Sequence, residues 1–303
     1  QFKIQNMLFD TRKSILQEIN DKELSARGIT LLIKRDDLIH PEVSGNKWRK
    51  LRYIIEHFKQ SRNERILTFG GAYSNHLLAT ASACHQLGIP AIGIVRGEEL
   101  SEEANPLLKR CQELGMYLHF VTREEYALRG MKEYHEELIL EFPNTYIIPE
   151  GGANYYGMIG CQEIIGELPA FDHIFVAQGT STTSCGLLLG INGQQLHVVP
   201  SIKNYDSKKE MSVLLSKSGI ETDLTEELLN GIQVHEMYHF GGYAKVTDEL
   251  TDFIDYCEKK HQLTLDKVYT AKAFYGLMQE IKKTDYNHST IVFLHTGGLF
   301  LTR

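Results

Sequence analysis

Short apolar runs rich in β-branched residues recur along the chain, and between them the apolar positions return every three to four residues. The short runs predict strands at 30–35, 65–69, 91–95, 117–121, 145–149, 173–177, 195–199, 231–235 and 290–295. The longer periodic stretches predict helices at 75–87, 105–114, 123–141, 247–260 and 271–282. Strands that alternate with helices and carry continuous rather than alternating apolar runs belong in parallel sheets covered on both faces. The fold class is therefore α/β with open parallel sheets. No repeat, low-complexity stretch or linker interrupts the pattern, so any two domains share several chain crossings.

Open parallel sheets bind ligands at the carboxyl ends of their strands, where strand-to-helix loops meet. Three such loops stand out: GGAYSNH at 70–76, QGTSTTSCG at 178–186 and HTGG at 295–298. In the second, Gly179, Thr180, Ser181, Thr182 and Thr183 follow a strand and open a helix. Small residues let backbone N–H groups converge, hydroxyls add donors, and the helix N-terminus adds positive potential, as a dianionic phosphate requires. The loop lacks the Lys-Ser/Thr ending of a nucleotide loop and the G-x-G-x-x-G of a dinucleotide fold, so a lone phosphate monoester suits it better. A plain Ser/Thr-rich helix cap reads the same way.

The 303 residues, 42% hydrophobic and 23% charged, with a mean hydropathy of −0.25, allow a sizeable core in one large or two modest domains. A net charge of −7 argues against nucleic acid as a partner. No apolar run approaches the roughly 20 residues that cross a bilayer, so no membrane partner is expected. The opening QFKIQNMLFD lacks signal-peptide architecture. Five widely spaced cysteines with no C-x-x-C pair predict free, buried thiols in a reducing cytoplasm.

Lys47 follows Ser44-Gly45-Asn46 at a predicted helix start, beside Trp48, Arg49 and Lys50. Neighbouring cations and desolvation both favour its neutral amine, which can condense with an aldehyde. A solvated basic helix face would show the same residues. In GGAYSNH, Ser74, Asn75 and His76 stand where a carboxylate can dock against helix N–H groups, although a simple capping serine also fits. His235-Glu236-Met237-Tyr238-His239 spells H-E-x-x-H, which on a helix would offer two zinc ligands and a general base. It follows a predicted strand and runs into Gly241-Gly242, which leaves little room for that helix; Lys245 stands where a third histidine would fall. No metal is expected.

In combination, IKRDD, SGNKWRKL, GGAYSNH, IPEGGANYYGMIG, the glycine/hydroxyl loop, DKVYTAK and LHTGG resemble the fold-type II pyridoxal-phosphate enzymes. The likeness is greatest to the 1-aminocyclopropane-1-carboxylate deaminase and D-cysteine desulfhydrase group, and the motifs run in family order from about residue 33 to 298. The resemblance implies a tryptophan synthase β-like fold of two domains with the active site in the cleft between them. It places the small inserted domain at 49–151 and the large cofactor-binding domain at 1–48 and 152–303. The cofactor it implies is pyridoxal 5′-phosphate, and the assembly a homodimer.

The resemblance also carries roles. Lys47 matches the Schiff-base lysine that also takes the substrate α-proton. Asn75 matches the amide on the pyridoxal 3′-oxygen, and residues 179–183 match the phosphate loop. Ser74, Asn75 and His76 fall in the segment that receives the substrate carboxylate. Tyr243 and Tyr269 match the two active-site tyrosines. Thr270 matches the residue facing the pyridine nitrogen, where a carboxylate marks ring-opening deaminases. A neutral threonine there suits elimination of a good β leaving group. The implied reaction is deamination of a small amino acid to a 2-oxo acid and ammonia, D-cysteine desulfhydrase-like, with cyclopropane-carboxylate deamination as the alternative. A non-catalytic pyridoxal-phosphate-binding homologue and a zinc peptidase are remoter ones. Tyr73 replaces a common Gln, Ala271 a common Gly, and Leu77-Leu78 a common Val-Arg; Tyr73 bears most on the substrate pocket.

Overall fold

A computed structural model describes residues 10–300 of the chain. The start-of-chain reading, and the ends of the expected domain ranges at 1–9 and 301–303, lie outside these residues.

Ten strands are present among the described residues: β1 (Leu16–Glu18), β2 (Thr30–Lys34), β3 (Arg65–Gly71), β4 (Ala91–Arg96), β5 (Met116–Val121), β6 (Thr145–Ile148), β7 (His173–Gln178), β8 (Gln195–Pro200), β9 (Gln233–Val234) and β10 (Thr290–Leu294). They form two sheets, a six-stranded one in the order β1-β2-β10-β7-β8-β9 and a four-stranded one in the order β5-β4-β3-β6. All pairs are parallel except β1 with β2. The strands of the smaller sheet are contiguous in the chain, from Arg65 to Ile148. Strands such as β4, β7 and β10 are buried almost throughout, as expected of strands covered on both faces.

Nine predicted strands appear as β2 to β10, most within a residue or two at each end. The exception is β9, where five predicted residues reduce to two. The additional strand, β1, is three residues long and mostly exposed. Its antiparallel edge pairing leaves no apolar run to detect. The helix predicted over 123–141 is two, Arg123–Ala127 and Lys132–Glu141. A turn from Leu128 to Met131 separates them, across Gly130, a poor helix former.

The helix Tyr155–Gly166 has no clear periodic signal because glycines occupy three of its twelve positions. Packing explains them. A Cβ on Gly160 would lie 1.8 Å from the Arg49 carbonyl oxygen, and one on Gly157 would lie 2.2 Å from that of Gly152. From the neighbouring helix Thr182–Gly190, a Cβ on Gly186 would lie 2.4 Å from the Met158 oxygen. Three helices thus meet nearly backbone to backbone: Asn46–Gln60, Tyr155–Gly166 and Thr182–Gly190. That contact brings the lysine segment and the hydroxyl loop together. Buried charge pins it further, since Arg49 bridges Asp36 at 2.9 Å and also pairs with Glu167, which takes Lys34 at 2.8 Å.

Candidate active site

Lys47 sits on the first turn of helix Asn46–Gln60, entered through Gly45 at φ 60° and ψ −134°. No side chain fits at Gly45, since a Cβ would lie 1.9 Å from the Thr296 oxygen. The HTGG loop therefore packs directly on the lysine segment. Asn46 Nδ2 donates to Thr183 Oγ1 at 2.7 Å, and Lys47 Nζ donates to Asn46 Oδ1 at 2.8 Å. Desolvation first, and the Lys50 ammonium second, pull the Lys47 pKa down to about 7, with Asp266 opposing. A neutral amine is thus available near neutral pH.

The hydroxyl loop turns through Ser181 at φ 61°, an uncommon conformation for a residue with a side chain. Ser181 Oγ accepts from Gln178 Nε2 at 2.9 Å and lies 3.0 Å from the Tyr205 hydroxyl. Thr180 and Thr182 bring their hydroxyls to 3.2 Å, and buried Ser184 Oγ has no hydrogen-bond partner among the described residues. A Cβ on Gly179 would approach the Tyr269 ring at 3.1 Å. Lys50, read from the sequence only as a cationic neighbour of Lys47, is buried and its Nζ donates to the Gly151 oxygen at 3.1 Å. Gly151 in turn abuts Thr180, whose Oγ1 would stand 2.5 Å from a Cβ there. Among the described residues Lys50 has no carboxylate partner. A buried ammonium without an anion, beside convergent hydroxyls, fits a phosphate group. The residues present therefore fit pyridoxal phosphate.

Ser74 caps helix Asn75–Leu87, its hydroxyl accepting from Leu77 N. No backbone acceptor among the described residues takes the N–H of Asn75 or His76, which leaves both for an anion. The His76 side chain does not face the cleft. It is buried with Nε2 2.9 Å from Thr68 Oγ1, and burial, then Lys50 and Lys47, hold its pKa well below 6.5. Asn75 and Asp266 both border Gly298, where a Cβ would lie 3.2 Å from Asn75 Nδ2 and 3.4 Å from Asp266 Cγ.

Asp266 opens the DKVYTAK segment, and the sequence alone assigns it no role. Thr270 Oγ1 donates to Asp266 Oδ2 at 2.7 Å, and its backbone N–H donates to the same oxygen at 2.8 Å. Asp266 N returns a bond to Thr270 Oγ1 at 2.9 Å. The single hydroxyl proton of Thr270 is thereby committed, and the oxygen presents only a lone pair to any further ligand. Tyr269 and Tyr243 lie ring to edge with centroids 6.1 Å apart. Burial, then Tyr243, pushes the Tyr269 phenol well above its ordinary range. Tyr243 also lines an open cleft of about 470 Å³ with Gly71, Ala72, Tyr73 and Arg96.

The H-E-x-x-H segment forms a single tight turn, Glu236–His239, with Tyr238 outside helical geometry. His235 Nε2 lies 2.9 Å from His197 Nδ1, and His239 Nδ1 accepts from Gly241 N at 2.9 Å. The two histidines serve different neighbours, and no group of three potential ligands among the described residues could hold a metal ion.

Comparison with known proteins agrees with this geometry. Residues 16–297 match the family model described as pyridoxal-phosphate dependent enzyme. A Pyrococcus abyssi protein, named provisionally as a 1-aminocyclopropane-1-carboxylate deaminase, is 34% identical over 90% of this chain and 85% of its own length. The mitochondrial bifunctional D-cysteine desulfhydrase/1-aminocyclopropane-1-carboxylate deaminase of Arabidopsis thaliana is 31% identical over 90% of this chain and 73% of its own. A crystal structure described as an ACC deaminase homologue superposes with a TM-score of 0.77 at 29% identity, covering 95% of this chain and 90% of the other.

Proposed function

The chain belongs to the pyridoxal-phosphate-dependent enzymes, and on that premise we propose that it deaminates a small amino acid by β-elimination, as a D-cysteine desulfhydrase does. The products are a 2-oxo acid and ammonia, with hydrogen sulfide where the substrate is cysteine. The observation that carries the reading is Lys47, whose amine is neutral near pH 7 and lies one hydrogen-bond chain from Thr183 through Asn46.

Pyridoxal phosphate, when bound, supplies an aldehyde for amines and a ring that accepts the electron pair left by the α-proton. The hydroxyls of residues 180–183 and the Lys50 ammonium hold its phosphate, and Asn75 holds the ring. Lys47 Nζ would be its covalent anchor, and as a free amine it is the base placed to take the α-proton of the substrate. The N–H groups of Asn75 and His76, with the Ser74 hydroxyl, seat the substrate carboxylate. Tyr243 and Tyr269 close the opposite side, where the high pKa of Tyr269 keeps its phenol protonated as a donor. Thr270 stands at the ring nitrogen in place of the carboxylate of ring-opening deaminases, which supports a leaving group over ring opening. The Asp266 carboxylate behind its hydroxyl is the feature that speaks for the alternative. The division into 49–151 and the remainder, a homodimeric state and a cytoplasmic location are parts of the same proposal. Five free, buried cysteines support the last.

Borohydride reduction of the holoenzyme followed by peptide mapping should place the cofactor on Lys47, and Lys47→Ala should abolish both the label and turnover. Release of 2-oxo acid from D-cysteine, D-serine and 1-aminocyclopropane-1-carboxylate then orders the substrates. Turnover of the cyclopropane substrate with none of D-cysteine would reverse the assignment drawn from Thr270.

A further inference from the structure

The cleft beyond Tyr243 is larger than a cysteine needs. At about 470 Å³ it falls in the range of roughly 300–1,000 Å³ that takes drug-sized ligands. Its wall carries three arginines, Arg96, Arg123 and Arg129. Two are already neutralised, Arg123 by Glu99 at 2.5 Å and Arg129 by Glu150 at 2.6 Å. Arg96 has no ion pair among the described residues. It ends β4 on the exposed side, its guanidinium 5.7 Å from the Tyr126 ring centroid. A Cβ on Gly71 would stand 3.5 Å from Arg96 Nη2, so the cation lies against the first turn of the GGAYSNH loop. Exposed Tyr73, from that loop, lines the same cleft.

An α-carboxylate already has the N–H groups of Asn75 and His76, which leaves Arg96 surplus to a small neutral amino acid. We propose that Arg96 is a specificity residue and that the substrate is an amino acid whose β substituent carries its own anionic group. The inference rests on the β-elimination reading of the site. The overall change is substrate plus water giving pyruvate, ammonium, the departing anion and one proton. The α-proton leaves to Lys47 Nζ, the Cβ–X bond breaks with its electron pair on X, Cβ takes up a proton to become the methyl group, and water replaces the amino nitrogen. Arg96 holds the charged end of X through paired N–H donors, with Tyr73 and Tyr126 lining the cleft beside it.

The test compares kcat/KM of the holoenzyme for cysteine with that for S-sulfocysteine, S-carboxymethylcysteine and O-phosphoserine, each as both enantiomers. The three anions separate sulfonate, carboxylate and phosphate. The preference for an anionic over the neutral substrate should fall by about tenfold or more in Arg96→Gln and be partly kept in Arg96→Lys. A ratio unchanged in Arg96→Gln, or a neutral substrate favoured by the wild type, overturns the proposal. If no amino acid releases a 2-oxo acid although cofactor is bound, the elimination reading has failed, and Arg96 is still decided by binding. Titration of the same amino acids against the visible absorbance of the bound cofactor should then show a similar rise in Kd for the anions alone. An equal Kd in wild type and variant overturns it there too.

Discussion

At the scale of single residues, environment sets the chemistry. Lys47 and Lys50 are three positions apart on one helix; burial and then the Lys50 ammonium depress the affinity of Lys47 for a proton, and burial depresses that of Lys50. Lys47 titrates near 7, so its nucleophilic form grows as pH rises through that value. The rate of covalent cofactor attachment to the apoprotein should therefore climb from pH 6 to 8 and level off, followed by visible absorbance. Thr270 shows how a neighbour alters a residue's meaning. Its hydroxyl is bonded to Asp266, so Thr270→Glu alone would set a second carboxylate against a buried one. That variant should lose roughly 2–4 kcal/mol in chemical denaturation. Adding Asp266→Asn should recover much of the loss and expose any shift toward ring opening.

At the scale of elements, glycines decide how closely helices approach. Gly160→Ala would force the helix Tyr155–Gly166 off Arg49 and should cost about 1–3 kcal/mol by overpacking. Because that contact positions Lys47 and Lys50, cofactor affinity should weaken as well, measured by equilibrium titration. Gly166, exposed at the end of the same helix with nothing within 4 Å of a Cβ, is the contrasting case. Gly166→Ala should stabilise by about 0.5–1 kcal/mol and leave affinity alone. The elements themselves were mostly legible, since a buried parallel strand is largely apolar and strands such as β4, β7 and β10 carry that mark. The helix Tyr155–Gly166 was not, because its glycines answer to Arg49 and Met158 in other segments. Edge strand β1 was hidden by having too few buried residues to leave a pattern.

Across the whole molecule, burial keeps several histidines neutral. His173, His197 and His235 form a hydrogen-bonded row across β7, β8 and the end of β9. Their pKa values are lowered, chiefly by burial, as are those of His40, His76 and His261. The unfolded chain takes up protons near pH 6.5 that the folded chain refuses, so stability present above that pH is lost as pH falls below it. Denaturation midpoints should therefore drop between pH 6.5 and 5, before carboxylates titrate. His197→Gln should blunt the slope.

The site divides along the same line. The segments around Lys47, residues 179–183, Ser74 and Asn75 could be picked out from local turns (a glycine before a helix, small residues at a helix start, a capping serine), while the roles proposed for them come from the family resemblance. His76 was legible as a loop member but not in its direction, which Thr68 sets from β3. Lys50, Asp266 and Arg96 carry no local mark of what they face. An ammonium without an anion, a carboxylate behind a hydroxyl and an unpaired guanidinium are defined only by what lies opposite them. Sequence by itself determined the α/β class, the strand order along the chain and the loops that hold the chemistry, since these depend on periodicity and backbone geometry within a few residues. Only the tertiary structure decided which charges are buried, which are paired and which are left open to a ligand, because electrostatic partnership is settled across segments far apart in the chain.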